Sequence, residues 1–526
     1  MSKQTFIQGA FILILAGLIT RALGFVNKIV MARMLGPEGV GLYAMAVPIL
    51  ILVITLTRLG LPVAISKLVA EADIVGDQAK IKRILVVSLA ITGVLSILFT
   101  ICTFLGAKVL SSIFLTDQRA YYPLLAITPI IPIVAISSII KGYFQGKQNM
   151  KPSAYSQVIE QIVRISLVAL LANLLLPYGL EYAVAGAMFS VVLGEAASLL
   201  YLFTTFKYSK RKIFKVRKGF FQQLWKGRQT LGELLRIGLP TTGSGLIGSV
   251  SWTLEAIIVA QSLALAGVAT AVATAQYGLL SGYALPLVML PMFITYSLSV
   301  SLVPAVSEAS AQKNFALIQR RIYQALRIAL IVGAPSTVIM YVFAEPLTTL
   351  IYNSPESGRF LKILSPFFLL LYFQGPLQAV LQGLDKARTA MMNTLYGAVI
   401  KIVSIFILAS QPQLGIYGAA MAININVCLV TLLHFFSIVK IVGFSIQLRD
   451  FVKVGVSMLV MALSGILSYA VLLQSSFGST WGLLLSIALA SFVYLIFLLL
   501  FRIVGRQDIE RFPFVGRWIA PFFPKR

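Results

Sequence analysis

Acidic residues and histidine are scarce in this chain. Of 526 residues, 17 are Asp or Glu, one is His, and 11% are charged, where a soluble domain carries roughly 25%. So few charges cannot solvate the three or four soluble domains that the length alone would suggest. The lone histidine, His434, sits in an apolar run and is expected to make an interfacial or helix contact rather than relay protons. The two cysteines, Cys102 and Cys428, also fall in apolar runs. They give neither a disulfide framework nor a metal-ligand spacing, and read as buried small apolar residues. Phosphate-binding loops and nucleophile–base patterns are missing. No catalytic residue, metal or cofactor is therefore expected, and the chain does not read as an enzyme.

What the sequence has in quantity is hydrocarbon, with 59% hydrophobic residues. Apolar runs near the ~20 residues that cross a bilayer recur along nearly the whole length. The expected spans are 6–33, 41–66, 84–107, 121–143, 153–176, 182–206, 234–262, 274–303, 322–344, 360–383, 389–410, 414–439, 451–473 and 481–501. The fold class that follows is an all-α membrane protein of about fourteen transmembrane helices. Several spans hold Pro or Gly, which membrane helices tolerate where neighbours or water satisfy the freed carbonyls. The first apolar run is followed by no small-residue cleavage site, so it is expected to be a retained span.

The formal net charge is +26, yet its placement excludes nucleic acid as the partner. The bases lie mostly in short connections between spans, where Lys and Arg mark the cytoplasmic side. Lys67, Lys80, Lys82 and Arg83, then Lys141, Lys147 and Lys151, then Arg320 and Arg321 fall on one side. That pattern places both termini in the cytoplasm. The longest connection, 207–230, carries nine bases and no acid between Lys207 and Arg228. It reads either as a plain cytoplasmic linker or, from Ile213, Val216, Phe220 and Leu224, as an amphipathic helix on anionic lipid.

An internal repeat emerges at a constant offset. Gln145, Gly146, Lys151 and Arg164 fall on Gln382, Gly383, Arg388 and Lys401, each 237 residues later. Repeats of this kind are a transporter signature, with the substrate site between them near the membrane midplane.

Ionisable residues inside the spans carry the chemistry. Each costs about 2.5–3.5 kcal/mol on insertion scales and so faces a cavity or a partner. Arg21 and Lys28 lie seven apart in the first span, hence on nearly one helix face. Arg58, Arg164 and Lys401 lie in the second, fifth and eleventh spans, and the acids at depth are Glu160, Glu195 and Glu255. The five bases are the candidate substrate ligands, because a cavity lined by Arg and Lys selects anions and Arg suits bidentate contact with phosphate. The three acids are candidates for coupling or for charge pairing. Glu160 and Arg164, four residues apart, have the spacing to neutralise each other.

Five long segments carry a family resemblance: KQTF at 3–6, TRALGFVNKIVMARMLGPEGVGLY at 20–43, LPVAISKLVAE at 61–71, KGYFQGKQNMKPSAYSQVIEQIVRIS at 141–166 and YFQGPLQAVLQ at 372–382. Through them the chain resembles the polysaccharide-export branch of the multidrug/oligosaccharidyl-lipid/polysaccharide flippase superfamily, and within it the stage V sporulation protein B family. It is also similar to the MurJ-type lipid II flippases. The resemblance implies two six-helix lobes facing each other in a V, opening alternately to either side, plus two trailing helices. The corresponding regions are 1–206 and 231–440 for the lobes, 207–230 for a basic cytoplasmic linker, and 441–526 for the trailing helices and basic tail. It implies that Arg21, before Leu-Gly-Phe, lines a cationic cavity. The relatives' second cavity arginine would fall on Asn27, beside Lys28, and their acidic residue has only Glu38 nearby.

The expected function is export of an undecaprenyl-pyrophosphate-linked sugar precursor for spore cortex peptidoglycan. The expected partners are that lipid-linked oligosaccharide, anionic membrane lipids and cortex peptidoglycan synthases, in the cell membrane or the membrane around the developing spore. The rivals are a multidrug extruder of the same superfamily and a non-transporting scaffold for cortex synthesis.

Overall fold

The computed structural model describes residues 6–209, 227–445, 448–474 and 478–503. Most of the basic connection, with the amphipathic stretch expected over 213–224, and the tail beyond 503 lie outside the described residues. Every regular element among the described residues is helical. Among the described residues thirteen helical runs are long and apolar enough to cross a membrane, and the first, Leu15–Ile74, covers two of the expected spans. The chain is thus a multi-pass membrane protein.

Helix α1 (Phe6–Arg58) is broken at Gly36, where φ is 66° and ψ is −179°. Glycine reaches that conformation without steric cost, and Pro37 restarts the helix at a position where its missing N–H is not needed. A second break follows at Leu59 and Gly60, both at positive φ, before α2 (Leu61–Ile74). Next come α3 (Gln78–Val109), a π-helical turn at Leu110–Phe114, α4 (Tyr121–Ile127), α5 (Ile130–Gly146), α6 (Lys151–Leu175) and α7 (Leu180–Ser209). After the linker come α8 (Arg228–Leu265), α9 (Thr270–Tyr277), α10 (Leu285–Val288) and α11 (Met292–Ala311). The remaining helices are α12 (Phe315–Val342), α13 (Ala344–Tyr352), α14 (Ser357–Gly383), α15 (Ala387–Ala409), α16 (Ile416–Val442), α17 (Leu448–Leu473) and α18 (Gly478–Leu500).

Three expected spans are not single helices, and the run 41–66 is the first, divided between α1 and α2 at Leu59–Gly60. The run 274–303 is divided among α9, a π-helical segment at Gly278–Ala284, α10 and α11. Pro286 and Pro291 lie at these joints, where each removes a helix hydrogen-bond donor. The run 121–143 is likewise divided between α4 and α5 at Thr128–Pro129.

The 237-residue offset recurs in the backbone itself. Left-handed residues stand in pairs at that spacing: Gly76 with Lys313, Thr116 with Asn353, and Gln148 with Asp385. Asp77 caps α3 by accepting from the Lys80 N–H at 2.8 Å, and Asn314 caps α12 by accepting from the Leu317 N–H at 3.0 Å. Packing repeats too. A Cβ on Gly146 would meet the Ser66 carbonyl at 2.6 Å and Val69, and one on Gly383 would meet the Val303 carbonyl at 2.8 Å and Val306. All these partners are again 237 apart, so two copies of one helical unit share caps, turns and close approaches.

Contacts group the chain differently from the repeat. One compact unit comprises Met1–Gly282 with Ile405–Ile416, and the other Tyr283–Ser404 with Tyr417–Arg526. Helix α8 therefore packs within the first unit, against α1, α2 and α3. Glycine makes this possible: a Cβ on Gly60 would lie 2.5 Å from the Gly238 carbonyl, and one on Gly238 would lie 2.4 Å from the Leu59 carbonyl. In the second unit a buried core runs through α11, α12 and α14 to α17 and α18. Buried Arg327 of α12 lies 3.6 Å from Asp450 of α17, which also accepts a hydrogen bond from the Tyr323 hydroxyl.

Candidate functional site

The first unit gathers charged side chains from four helices. The break at Leu59–Gly60 ends α1 just after Arg58, whose charge suits the helix C-terminus. Helix α6 contributes Glu160 and Arg164, and the expected pair forms, with Arg164 Nη2 donating to Glu160 Oε1 at 2.7 Å. Helix α7 contributes Glu195, which is buried. It accepts from Lys141 Nζ of α5 at 3.3 Å. Glu160 and Glu195 act on each other electrostatically, and both lie in the field of Arg58. Tyr43, on the second part of α1, lies in the field of Arg164.

The cluster depends on a close helix crossing. A Cβ on Gly194 would lie 2.8 Å from the Glu160 carbonyl and 3.3 Å from Arg164 Cβ. Glycine there lets α7 press onto α6, and the next residue is Glu195. The second half lacks the cluster: at the 237-residue offset, Arg58, Lys141 and Glu160 fall on Thr295, Gln378 and Gly397. Only Arg164 keeps a basic counterpart, Lys401.

Three bases against two acids leave one net positive charge. The Nε atoms of Arg58 and Arg164 are buried and have no hydrogen-bond partner among the described residues. Each guanidinium therefore retains donor capacity in a low-dielectric setting, where an oxyanion would be bound strongly.

Arg21 and Lys28 are exposed on α1, while Asn27 between them is buried and donates to Met31 Sδ at 3.5 Å. Gly24 brings this stretch of α1 against α6, with its Cβ position 3.9 Å from Gln161 Oε1. The structure thus brings Arg58, Glu160, Arg164 and Glu195 together and puts Arg21 and Lys28 on an open face of the same unit. Glu255 is buried on α8, with Tyr277 in its field. Lys401 is half-buried on α15, in the second unit.

Sequence reasoning missed three charged residues of consequence. Lys141 falls near the end of the expected span 121–143 and was counted among the bases of the cytoplasmic side; what was missed is that, from inside α5, it pairs with Glu195, 54 residues away. Its signal was the uninterrupted apolar run before it and the Gly142/Gly146 spacing after it, both of which continue the helix. Arg327 lies within the expected span 322–344 and is a further base at depth. Asp117, at the joint before α4, accepts from Arg119 at 2.9 and 3.1 Å and from Thr274 at 2.8 Å. Arg119 also reaches Glu38 at 2.6 Å, next to the Gly36 break. Burial pushes the Asp117 carboxyl up. The hydrogen bonds from Arg119 and Thr274, with the Arg119 charge, outweigh that and hold it below the usual carboxylate range.

Comparison with known proteins agrees with this architecture. The family model described as polysaccharide biosynthesis protein matches residues 6–310, and the MatE model matches 271–407. The chain is 54% identical to Stage V sporulation protein B of Bacillus subtilis, over 99% of this chain and 100% of that one. It is 30% identical to Sporulation protein YkvU of the same organism, over 84% and 97% of the two chains. Lipid II flippase MurJ of that organism is 27% identical, over 88% and 87%. Among solved structures, an inward closed conformation of the lipid II flippase MurJ superposes with a TM-score of 0.69 at 17% identity, covering 94% of this chain and 99% of that one. An inward-facing multidrug resistance MATE family transporter of the MOP superfamily gives 0.66 at 17% identity, covering 81% and 94%. These two likenesses concern the fold.

Proposed function

The chain belongs to the polysaccharide biosynthesis protein family, which it shares with Stage V sporulation protein B, and we propose that it flips an undecaprenyl-pyrophosphate-linked sugar precursor across the membrane for spore cortex peptidoglycan. The observation that carries this reading is the positive excess among side chains at membrane depth, with Arg21 and Lys28 exposed along one face of α1. Bases are costly there unless they face a cavity or an anion. A pyrophosphate supplies the anion, and arginine's planar fork suits its oxygens. Alternating exposure of the two lobes would carry the head group while the prenyl tail stays in the bilayer, beside α17 and α18. Both termini and the 207–230 linker lie in the cytoplasm in this scheme. The linker's bases meet anionic lipid there, and cortex synthases receive the exported precursor.

The multidrug reading needs acids free to bind an organic cation. Glu160 and Glu195 are instead held by Arg164 and Lys141, which favours an anionic cargo. The scaffold reading leaves the cost of Arg21 and Lys28 unexplained. The test is complementation in a spore-forming host that lacks the gene. Arg21→Ala is expected to insert at normal level and fail to restore cortex, and Arg21→Lys to restore part of it. Normal cortex with Arg21→Ala would remove the reading's main support.

A further inference from the structure

Beyond the charge cluster, the first unit holds a cavity of about 370 Å³ between α1, α3 and α8. Ile49, Leu52 and Val53 line it from α1, Phe99, Cys102 and Thr103 from α3, and Val250, Thr253, Leu254 and Ile257 from α8. Leu110 and Phe114 of the π-helical turn also contribute. Among the described residues, no charged side chain borders it. The space is open to the surface of the unit, so it is a groove that an outside molecule can enter rather than a packing void.

Polar contacts beside the groove fix its walls relative to one another. Thr253 Oγ1 donates to the Pro48 carbonyl at 3.0 Å, and tethers α8 to α1 at the kink-prone proline. Gln261 Nε2 donates to the Ile113 carbonyl at 2.6 Å, and fixes the π-helical turn to α8. Such turns recur at functional sites. The mouth is open: Phe114, Val250 and Leu254 of the lining are each exposed by more than a third. Beside it, α3 presents Ile97, Leu98, Ile101 and Leu105, also exposed, on a 37-residue membrane-crossing run. The opening therefore lies at membrane depth, where the surrounding solvent is hydrocarbon.

We propose that this cavity is a binding site for one acyl chain of a bilayer phospholipid. Its volume lies in the range of small-molecule sites, roughly 300–1,000 Å³, and has room for about a dozen groups of water or methylene size. That suits a single acyl chain entering from the side. The bracing contacts make the cavity preformed, so an entering chain replaces missing packing contacts without a rearrangement. The site is separate from the charge cluster and assumes nothing about the cargo.

The test uses the full chain in nanodiscs of phosphatidylglycerol and phosphatidylethanolamine. A phosphatidylethanolamine with a diazirine near one acyl terminus is added, and adducts are mapped after irradiation. Adducts are expected on the inward residues Val53, Thr103 or Thr253 as well as on outward Leu105. Filling the space with Thr103→Phe or, from the other wall, Leu254→Trp is expected to lower the inward adducts at least five-fold and leave Leu105 labelling unchanged. Retained labelling of Leu105 also shows that the variant is folded and inserted. Adducts confined to outward residues, or inward adducts that survive both substitutions, would overturn the proposal. Loss of inward adducts on adding polyprenyl phosphate would also overturn it, by giving the cavity to a prenyl tail instead.

Discussion

Removing Glu195 should damage the first unit more than removing its partner Lys141. The two side chains are 6% and 17% exposed and 3.3 Å apart, so solvent screens the pair little. Breaking a buried ion pair by deleting one member costs about 3–5 kcal/mol, because the other charge stays buried. Glu195→Ala leaves Arg58, Lys141 and Arg164 with only Glu160. Glu160 is already bound to Arg164 but acts on Lys141 too, which sets the expectation near the lower end, ~3 kcal/mol. Lys141→Ala leaves Glu195 with Arg58 still acting on it, so the loss is smaller, about 1–2 kcal/mol. The double variant removes both charges and should be less damaged than the sum of the single losses by ~1–3 kcal/mol, the range for contacting residues. Thermal unfolding of the purified protein in detergent measures all four states of the cycle. If the single losses add to within ~0.5 kcal/mol, or if Lys141→Ala is the worse of the two, the charge accounting given for the cluster is wrong.

Further expectations concern other parts of the molecule. Asp117 is held below its ordinary value, so its contribution to stability is present above about pH 3.9 and is lost as pH falls through the lower folded value. Asp117→Asn should flatten the fall in melting temperature on that acid side, and an unchanged acid profile would contradict the assignment. A Cβ on Gly41 would lie 1.9 Å from the Thr274 carbonyl, so Gly41→Ala should cost at least about 1–3 kcal/mol by overpacking; a melting temperature equal to that of the parent would refute this. Asp450→Ala removes the carboxylate beside the buried Arg327 and should cost ~3–5 kcal/mol, against about 1 kcal/mol for Tyr323→Phe, both read by thermal unfolding. A cysteine in place of Ser209 should resist an impermeant thiol reagent added to intact cells, and labelling from outside would reverse the topology.

Much of the fold was legible because bilayer solvation imposes one constraint on every span: a run of apolar residues with its backbone satisfied internally. The 237-residue repeat was visible at Gln145–Gly146 and Gln382–Gly383, and it persists in the left-handed turns and caps because those positions require particular backbone geometry. Glu160–Arg164 was legible because it is local on one helix. Lys141–Glu195, Asp117–Thr274 and Arg327–Asp450 were not, since each joins helices distant in sequence and depends on how they cross. The break at Gly36 was legible, because it falls between the expected spans 6–33 and 41–66. The break at Leu59–Gly60, inside 41–66, was hidden, since what it accommodates, the approach of Gly238, is tertiary.

In the proposed scheme the cargo's charge sets how energy enters. A pyrophosphate-linked lipid bears about two negative charges, so its outward movement gains roughly 4–5 kcal/mol per 100 mV of potential, negative inside. The most direct measurement of the central claim is therefore flux of a lipid-linked pyrophosphoryl saccharide in vesicles of the purified protein. Access of an impermeant reagent to the outer-leaflet head group reports it. Outward flux should appear with the parent protein, rise when the cytoplasmic face is made negative, and be absent with Arg21→Ala. Flux no greater than in protein-free vesicles, or equal flux from Arg21→Ala, would contradict the account.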